Sequence, residues 1–333
     1  RAKGYVKHEG RWVKKADLEV LRLMGSAKQD TGLGDQLRLF QTDHYAVMGD
    51  LPEAQLQTLG ETMERLFAEW VRLFPDDAGS DILDGKHRLF VFKKNRPYQK
   101  LVRARFERQK KAENWSTGFA KQEEKRMKLR LRETSFWDVQ PVIVSGHVQM
   151  PDPFEGLKAH CVHFGANVLV TRHKRLRFTS WWLNEGLAYY LEKRVTGTIQ
   201  TYNADVGGGA YADQGPVENN KANPWLDAQQ WQTLLGGLAR TGRDPKLDQL
   251  KSKVLYGSKN RMGAKDLAKS LSVVSYLIAD DARKFAEFVA DCKEGSGSEL
   301  EREVSAAIKH YGSYAKIEAG WKAYALNGFR LAR

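Results

Sequence analysis

The stretch 157–192, LKAHCVHFGANVLVTRHKRLRFTSWWLNEGLAYYLE, constrains the fold of this chain more than any other. It reads as two helices in succession, and it puts ionisable side chains where a core is expected. His160 and His163 stand at i and i+3, on one helix face. Glu185 follows 25 residues after His160 and 22 after His163, on the second helix. Two imidazoles and a carboxylate near one another can do two things. They can hold zinc, which takes His nitrogen and carboxylate oxygen in tetrahedral sites. Or they can hydrogen-bond to one another or to an arginine inside a half-buried helix, the commoner fate of a histidine.

The second helix carries Trp182-Leu183-Asn184-Glu185-Gly186-Leu187-Ala188. This matches the W-L-N-E-G-x-A helix that supplies the third zinc ligand in gluzincin-type peptidases, and the chain resembles the peptidase-MA-like, zincin-type domains of a large bacterial family. In that family the first helix reads H-E-x-x-H. Its two histidines lie one turn apart and face one metal, and the Glu between them takes a proton from zinc-bound water. Here the motif is degenerate in either of two registers. Starting at His160, Cys161 replaces the base and Phe164 the second ligand. Starting at His163, Phe164 replaces the base and Asn167 the ligand. The first register is preferred, because Gly156-Leu157-Lys158-Ala159-His160 resembles the family's approach to its first histidine. His160, His163 and Glu185 could still form a rearranged zinc site, with Cys161 or His173 nearby, although no carboxylate stands at the base position. Cys161 is a poor nucleophile candidate, since His163 lies two residues on and the two side chains diverge on a helix.

Further segments carry the resemblance over roughly residues 38–326. Asp43-His44-Tyr45-Ala46-Val47 precedes Leu51-Pro52-Glu53 and a long helix, the strand 87–92 and a basic helix follow, and Pro141-Val142-Ile143-Val144 leads into the degenerate helix. The segment Tyr311–Tyr324 resembles the family's closing helix, E-x-x-W-x-x-Y. The fold class implied is α+β: a zincin-like core with a small mixed sheet and active-site-type helices, followed by a C-terminal helical subdomain. The divisions expected are 1–37, an adaptor-like hairpin plus helix; 38–195, the zincin-like subdomain; 196–224, a long loop; and 225–333, the helical subdomain.

Local patterns say more about the elements. Two short apolar-aromatic runs around Glu9-Gly10 predict a hairpin, followed by a helix from about Lys15. Pro52 beside Glu53 is a helix start, and Leu56, Leu59, Met63, Leu66 and Trp70 recur at helical spacing as a core face. Leu89 and Val91 alternating with Phe90 and Phe92 predict a strand covered on both sides. Residues 196–224, with Gly207-Gly208-Gly209 at their centre, read as a binding loop or lid. Beyond Trp225 the pattern is helical, with breaks expected near Gly236-Gly237, Gly257 and Gly295-Ser296-Gly297.

Length and composition exclude some classes. A chain of 333 residues with 41% hydrophobic content can bury a sizeable core. No run approaches the roughly 18–20 apolar residues of a membrane span. Cys161 and Cys292 make no disulfide framework, and Cys161 reads as a small buried hydrophobe. The chain begins with Arg, which a removed signal peptide would explain. The resemblance implies an exported protein of the periplasm or cell envelope.

Charge is concentrated. Residues 93–132 hold 15 Lys or Arg against 4 Glu, a local net of +11 within an overall +13. Lys93, Lys94, Arg96, Lys100, Arg103, Arg105, Arg108, Lys110 and Lys111 are the candidate contacts to a polyanion or protein partner. Tyr98, Phe106, Trp115 and Phe119 are interleaved and would suit stacking. An acidic protein or cell-envelope partner is favoured over nucleic acid, since no nucleic-acid module accompanies the charge, and a plainly solvated face is the simpler account. The function expected is that of a catalytically impaired or inactive metallopeptidase homologue acting as a binding or structural component, with no cofactor expected and zinc possible. The alternatives are an active zinc peptidase using His160, His163 and Glu185, and a polyanion-binding protein.

Overall fold

The computed structural model describes residues 4–8, 10–78, 82–83, 85–113, 116–118, 120–121, 124, 135–136, 142–145, 152–174, 179–200, 230–254 and 260–327. The Gly-rich loop beyond residue 200, Gly257, Trp115, Phe119 and most of the basic run after 121 lie outside them. The chain forms two compact units, Arg1–Glu64 with Leu83–Cys161, and Arg65–Ile82 with Val162–Arg333. Two of the partings, after Glu64 and after Cys161, fall inside helices.

The first unit opens with strands β1 (Tyr5–His8) and β2 (Arg11–Lys14), an antiparallel hairpin followed directly by helix α1 (Lys15–Thr31), as the two aromatic runs predict. Gly10, at the turn, has φ +82°, a conformation that glycine adopts without steric cost. A mixed sheet follows in the order β3-β4-β5-β7-β6, formed by β3 (Arg38–Gln41), β4 (Tyr45–Gly49), β5 (His87–Phe92), β6 (Ser135–Phe136) and β7 (Val142–Ser145). The central pairs β4–β5 and β5–β7 are parallel and the outer ones antiparallel. All of β4 is buried, and all of β5 but the half-buried Arg88, which explains their near-continuous apolar sequence.

Helix α2 (Glu53–Leu73) buries Leu56, Leu59, Met63, Leu66 and Trp70 completely, the five positions of its predicted core face. Helix α3 (Asn95–Ala112) corrects one expectation. Tyr98 is no stacking platform: with Leu101 and Val102 it packs into a core cluster with Ala27, Leu37, Met48, Phe90 and Phe92. On an amphipathic helix the aromatic joins the apolar stripe while the basic residues keep to water.

The second unit is helical: the later part of α4 (Pro153–Arg172), then α5 (Trp181–Thr196), α6 (Trp231–Thr241), the short α7 (Leu247–Leu250), α8 (Ala264–Glu294), α9 (Glu299–Tyr311) and α10 (Tyr314–Leu326). With the small mixed sheet of the first unit, the fold is α+β with helix predominating. Gly236 and Gly237 do not break α6, which runs through them and is held by packing despite about 1 kcal/mol of propensity lost at each. Gly295 does end α8. Inside α8, Asp281 is extended (φ −161°, ψ 103°), and its carboxylate accepts the Lys284 N–H, so it restarts the helix as a cap.

The closing-helix motif has a structural explanation. Lys269 of α8 is fully buried and donates to Asp244 at 3.0 Å and Glu318 at 2.7 Å, with its ammonium directly over the Trp321 ring. Trp321 Nε1–H donates to Ser272 Oγ at 2.7 Å, and the second Glu318 oxygen accepts the Leu247 N–H. Pairing of this kind offsets the cost of burying the Lys269 ammonium. Glu318 and Trp321 thus fasten α10 and α7 to α8.

Candidate functional site

The site lies within the second unit, between α4 and α5. Its four polar side chains sit on two helix faces. His163 and Asn167 are one turn apart on α4, and Glu185 and Glu192 are two turns apart on α5. His163 Nε2 meets a Glu185 oxygen at 3.2 Å, and Nδ1 meets a Glu192 oxygen at 3.1 Å. Asn167 Nδ2 reaches the other Glu185 oxygen at 3.5 Å. All four residues are buried, and His163, Glu185 and Glu192 have no exposed side-chain surface. Phe164 and Tyr189 stand edge-on to the imidazole, with ring centres 5.7 and 4.5 Å away. Trp231 in turn packs edge-on to Tyr189.

Burial works against a charge on His163, but Glu185 beside Nε2 and then Glu192 beside Nδ1 outweigh it and push the group up to about 9. The imidazole is therefore held as an imidazolium at neutral pH, donating from both nitrogens to carboxylates that would otherwise be costly to bury.

The surrounding sequence is spent on fixing this pair of helices. Trp182 Nε1–H donates to buried Glu303 of α9 at 2.7 Å, and the Tyr314 hydroxyl donates to the same oxygen. Burial raises the Glu303 carboxyl. Asn184 accepts the Thr179 hydroxyl at 2.8 Å. Gly186 lies against α8 so closely that a Cβ there would stand 2.6 Å from the Ser270 carbonyl oxygen. Glu192 is fixed from its other oxygen by the Gln200 N–H at 2.6 Å. Every polar member of the W-L-N-E-G run thus has a partner or a contact that accounts for it.

Of the two candidate histidines, His163 and not His160 meets Glu185. Glu185 is faced by His163 and Asn167. His160 is buried and its Nδ1–H donates to the Gly156 carbonyl oxygen at 2.8 Å, a bond within its own helix. Cys161 is buried and free, and burial pushes its thiol up to about 12, which leaves no thiolate for chemistry. His173 is committed elsewhere: it meets Asp77 at 2.7 Å, on the oxygen that also accepts Trp70 Nε1–H. Glu192, Tyr189 and Gln200 have no counterpart in the sequence-level site. The spacing of seven from Glu185 to Glu192 is the one signal that could have found Glu192.

Zinc, which the resemblance implies, is a poor fit for this donor set. His163 and Glu185 are ligands by type, but the group beside them on α4 is the neutral amide of Asn167, and Phe164 next to His163 has no ionisable group. Among the described residues no three His, Cys, Asp or Glu side chains are grouped to hold a metal ion. A catalytic zinc needs three such ligands and an open position for water.

The basic residues of α3 are placed differently. Lys93, Lys94, Arg96, Lys100, Arg103, Arg108, Lys110 and Lys111 are exposed and Arg105 is half-buried. Two of them are engaged with α1: Arg108 donates to both oxygens of Asp30, at 2.8 and 2.6 Å, and Lys100 to the Thr31 carbonyl oxygen at 3.3 Å. No helix of the described residues is long and apolar enough to cross a membrane. Set against protein families, characterised proteins and solved structures, the chain matches none.

Proposed function

We propose that this chain is a zincin-like protein without peptidase chemistry, acting as a binding or structural component, in the exported setting that its resemblance implies. The observation that carries this reading is the buried Glu185–His163–Glu192 arrangement with Phe164 and Asn167 beside it. In a peptidase of this type a metal supplies the positive charge between such carboxylates and polarises water. Here the imidazolium of His163 supplies the charge, and among the described residues no group is placed to take a proton from water. An ion held inside a core by two opposite partners stabilises one packing of two helices, a structural task, and leaves the surface for recognition.

Elemental analysis of the purified full chain, before and after chelator treatment, tests this together with a peptide-hydrolysis assay. The expected result is no stoichiometric zinc and no hydrolysis. One chelator-removable zinc per chain, with cleavage lost in Glu185→Ala, would establish the active-peptidase alternative built on His160, His163 and Glu185.

A second reading rests on α3. Its exposed Lys93, Lys94, Arg96, Arg103, Lys110 and Lys111 suit a polyanion or an acidic protein partner through counterion release. Salt-sensitive binding to heparin, weakened by charge reversal at Arg103, Lys110 and Lys111, supports it. Binding that is insensitive to those changes removes it.

A further inference from the structure

The N-terminal hairpin carries a surface that neither reading above explains. In the β1–β2 register Tyr5 lies opposite Lys14, and Lys7 opposite Trp12. Side chains alternate along a strand, so these four share one face, with cross-strand neighbours about 5 Å apart and along-strand neighbours about 7 Å apart. All four are exposed, Trp12 at 60% and Tyr5 at 43%, while Val6 and Val13 on the other face are half-buried and the hairpin packs on α1. Among the described residues Tyr5 and Trp12 are the only exposed aromatic side chains; the other exposed large apolar groups are Leu300, Ile308 and Leu326. Two aromatics and two cations in a checkerboard, with no carboxylate or amide among them, form a distinct chemical face.

We propose that this face docks the protein on an anionic lipid surface. Trp and Tyr combine an apolar body with a polar tip and settle at the boundary between headgroups and acyl chains. Lysines beside them lay their stems along that boundary and set their ammonium groups among lipid phosphates, which an anionic leaflet makes favourable. Polymers bound by stacking are the alternative, but they are held in a charged groove that tracks their backbone. Among the described residues the ribbon has two strands and no flanking strand to wall such a groove, and Tyr5, Lys7, Trp12 and Lys14 include no amide or carboxylate of the kind that reads sugar hydroxyls or base edges. The contact is peripheral and requires no spanning segment. It stands whether or not the residues around Glu185 are catalytic.

The test is co-sedimentation of the full chain with vesicles of phosphatidylcholine alone, and of phosphatidylcholine mixed with an equal share of phosphatidylglycerol. The expected result is sedimentation with the mixed vesicles only, falling as salt is raised. Trp12→Ser should lower the partition about tenfold, the worth of withdrawing one large apolar group from the interface. The double change Lys7→Gln with Lys14→Gln should abolish the preference for phosphatidylglycerol. Trp12→Tyr, which keeps the amphipathic ring, should retain most of the binding, so that a loss by misfolding is distinguished by circular dichroism and by this variant. Equal sedimentation with both vesicles, or unchanged binding in Trp12→Ser, overturns the proposal. So does tight binding of a single-stranded oligonucleotide or heparin that the same changes abolish while vesicles are not bound, which would assign the face to a polymer.

Discussion

The imidazolium of His163 makes a quantitative prediction. Its proton is held up to about 9 in the folded protein, against about 6.5 in an unfolded chain. Because His163 is fully buried between its partners, water screens their attraction little. At about 1.4 kcal/mol per pH unit, the arrangement contributes on the order of 3 kcal/mol. The folded value is raised, so this stability is fully present below about pH 6.5 and declines as pH rises through about 9. The perturbation to make is Glu185→Gln, which keeps the shape of the side chain and removes the largest attraction on the ring. The assay is a histidine-selective NMR titration of chelator-treated protein, with urea unfolding at several pH values. In the wild type, His163 should titrate near 9. In Glu185→Gln it should titrate at least about one pH unit lower, and the fall in stability between pH 7 and 9.5 should shrink. A wild-type His163 that titrates at or below 6.5, or one that Glu185→Gln leaves unmoved, refutes the reasoning.

Other consequences are equally direct. Gly186→Ala should destabilise by about 1–3 kcal/mol in urea unfolding, because its Cβ would press on the Ser270 carbonyl across α5 and α8. Lys269→Ala should cost on the order of 3–5 kcal/mol by leaving Asp244 and Glu318 without their buried cation, whereas doubling the change with Glu318→Gln should restore part of the loss in a double-mutant cycle. Lys293 acts oppositely to His163. Burial, and then the charge of Arg302, hold it down to about 8. The unfolded chain keeps that proton up to about 10.4, so stability should rise with pH between about 8 and 10.4. Lys293→Met should flatten this rise, measured as the difference between its unfolding curves and those of the wild type.

Several elements are legible in the sequence. The hairpin, the core face of α2, the doubly covered β5 and the helical nature of 153–172 and 181–196 follow from period, turn residues and apolar content, which are local. The places where the sequence reading had to be corrected share a cause. Tyr98 looked like a stacking residue because it sits among lysines and arginines, yet on the helix it belongs to the apolar stripe with Leu101 and Val102. Gly236 and Gly237 looked like a break because propensity opposes them, and packing overrides it. Which histidine meets Glu185 could not be chosen from spacing, because His160 and His163 both lie a plausible distance before it.

By itself, then, the sequence determined the hairpin, the core face of α2, the strand 87–92, the two helices that carry His163 and Glu185, and the concentration of basic charge after residue 93. Only the tertiary structure decided that Glu192 closes the site, that both imidazole nitrogens of His163 face carboxylates, and that His160 turns to its own helix. Helical period is a property of neighbours in the chain and can be read along it. The charge on a buried histidine is set by groups 22 and 29 residues away, and no local pattern records which of them the packing of two helices will bring within 3.2 Å.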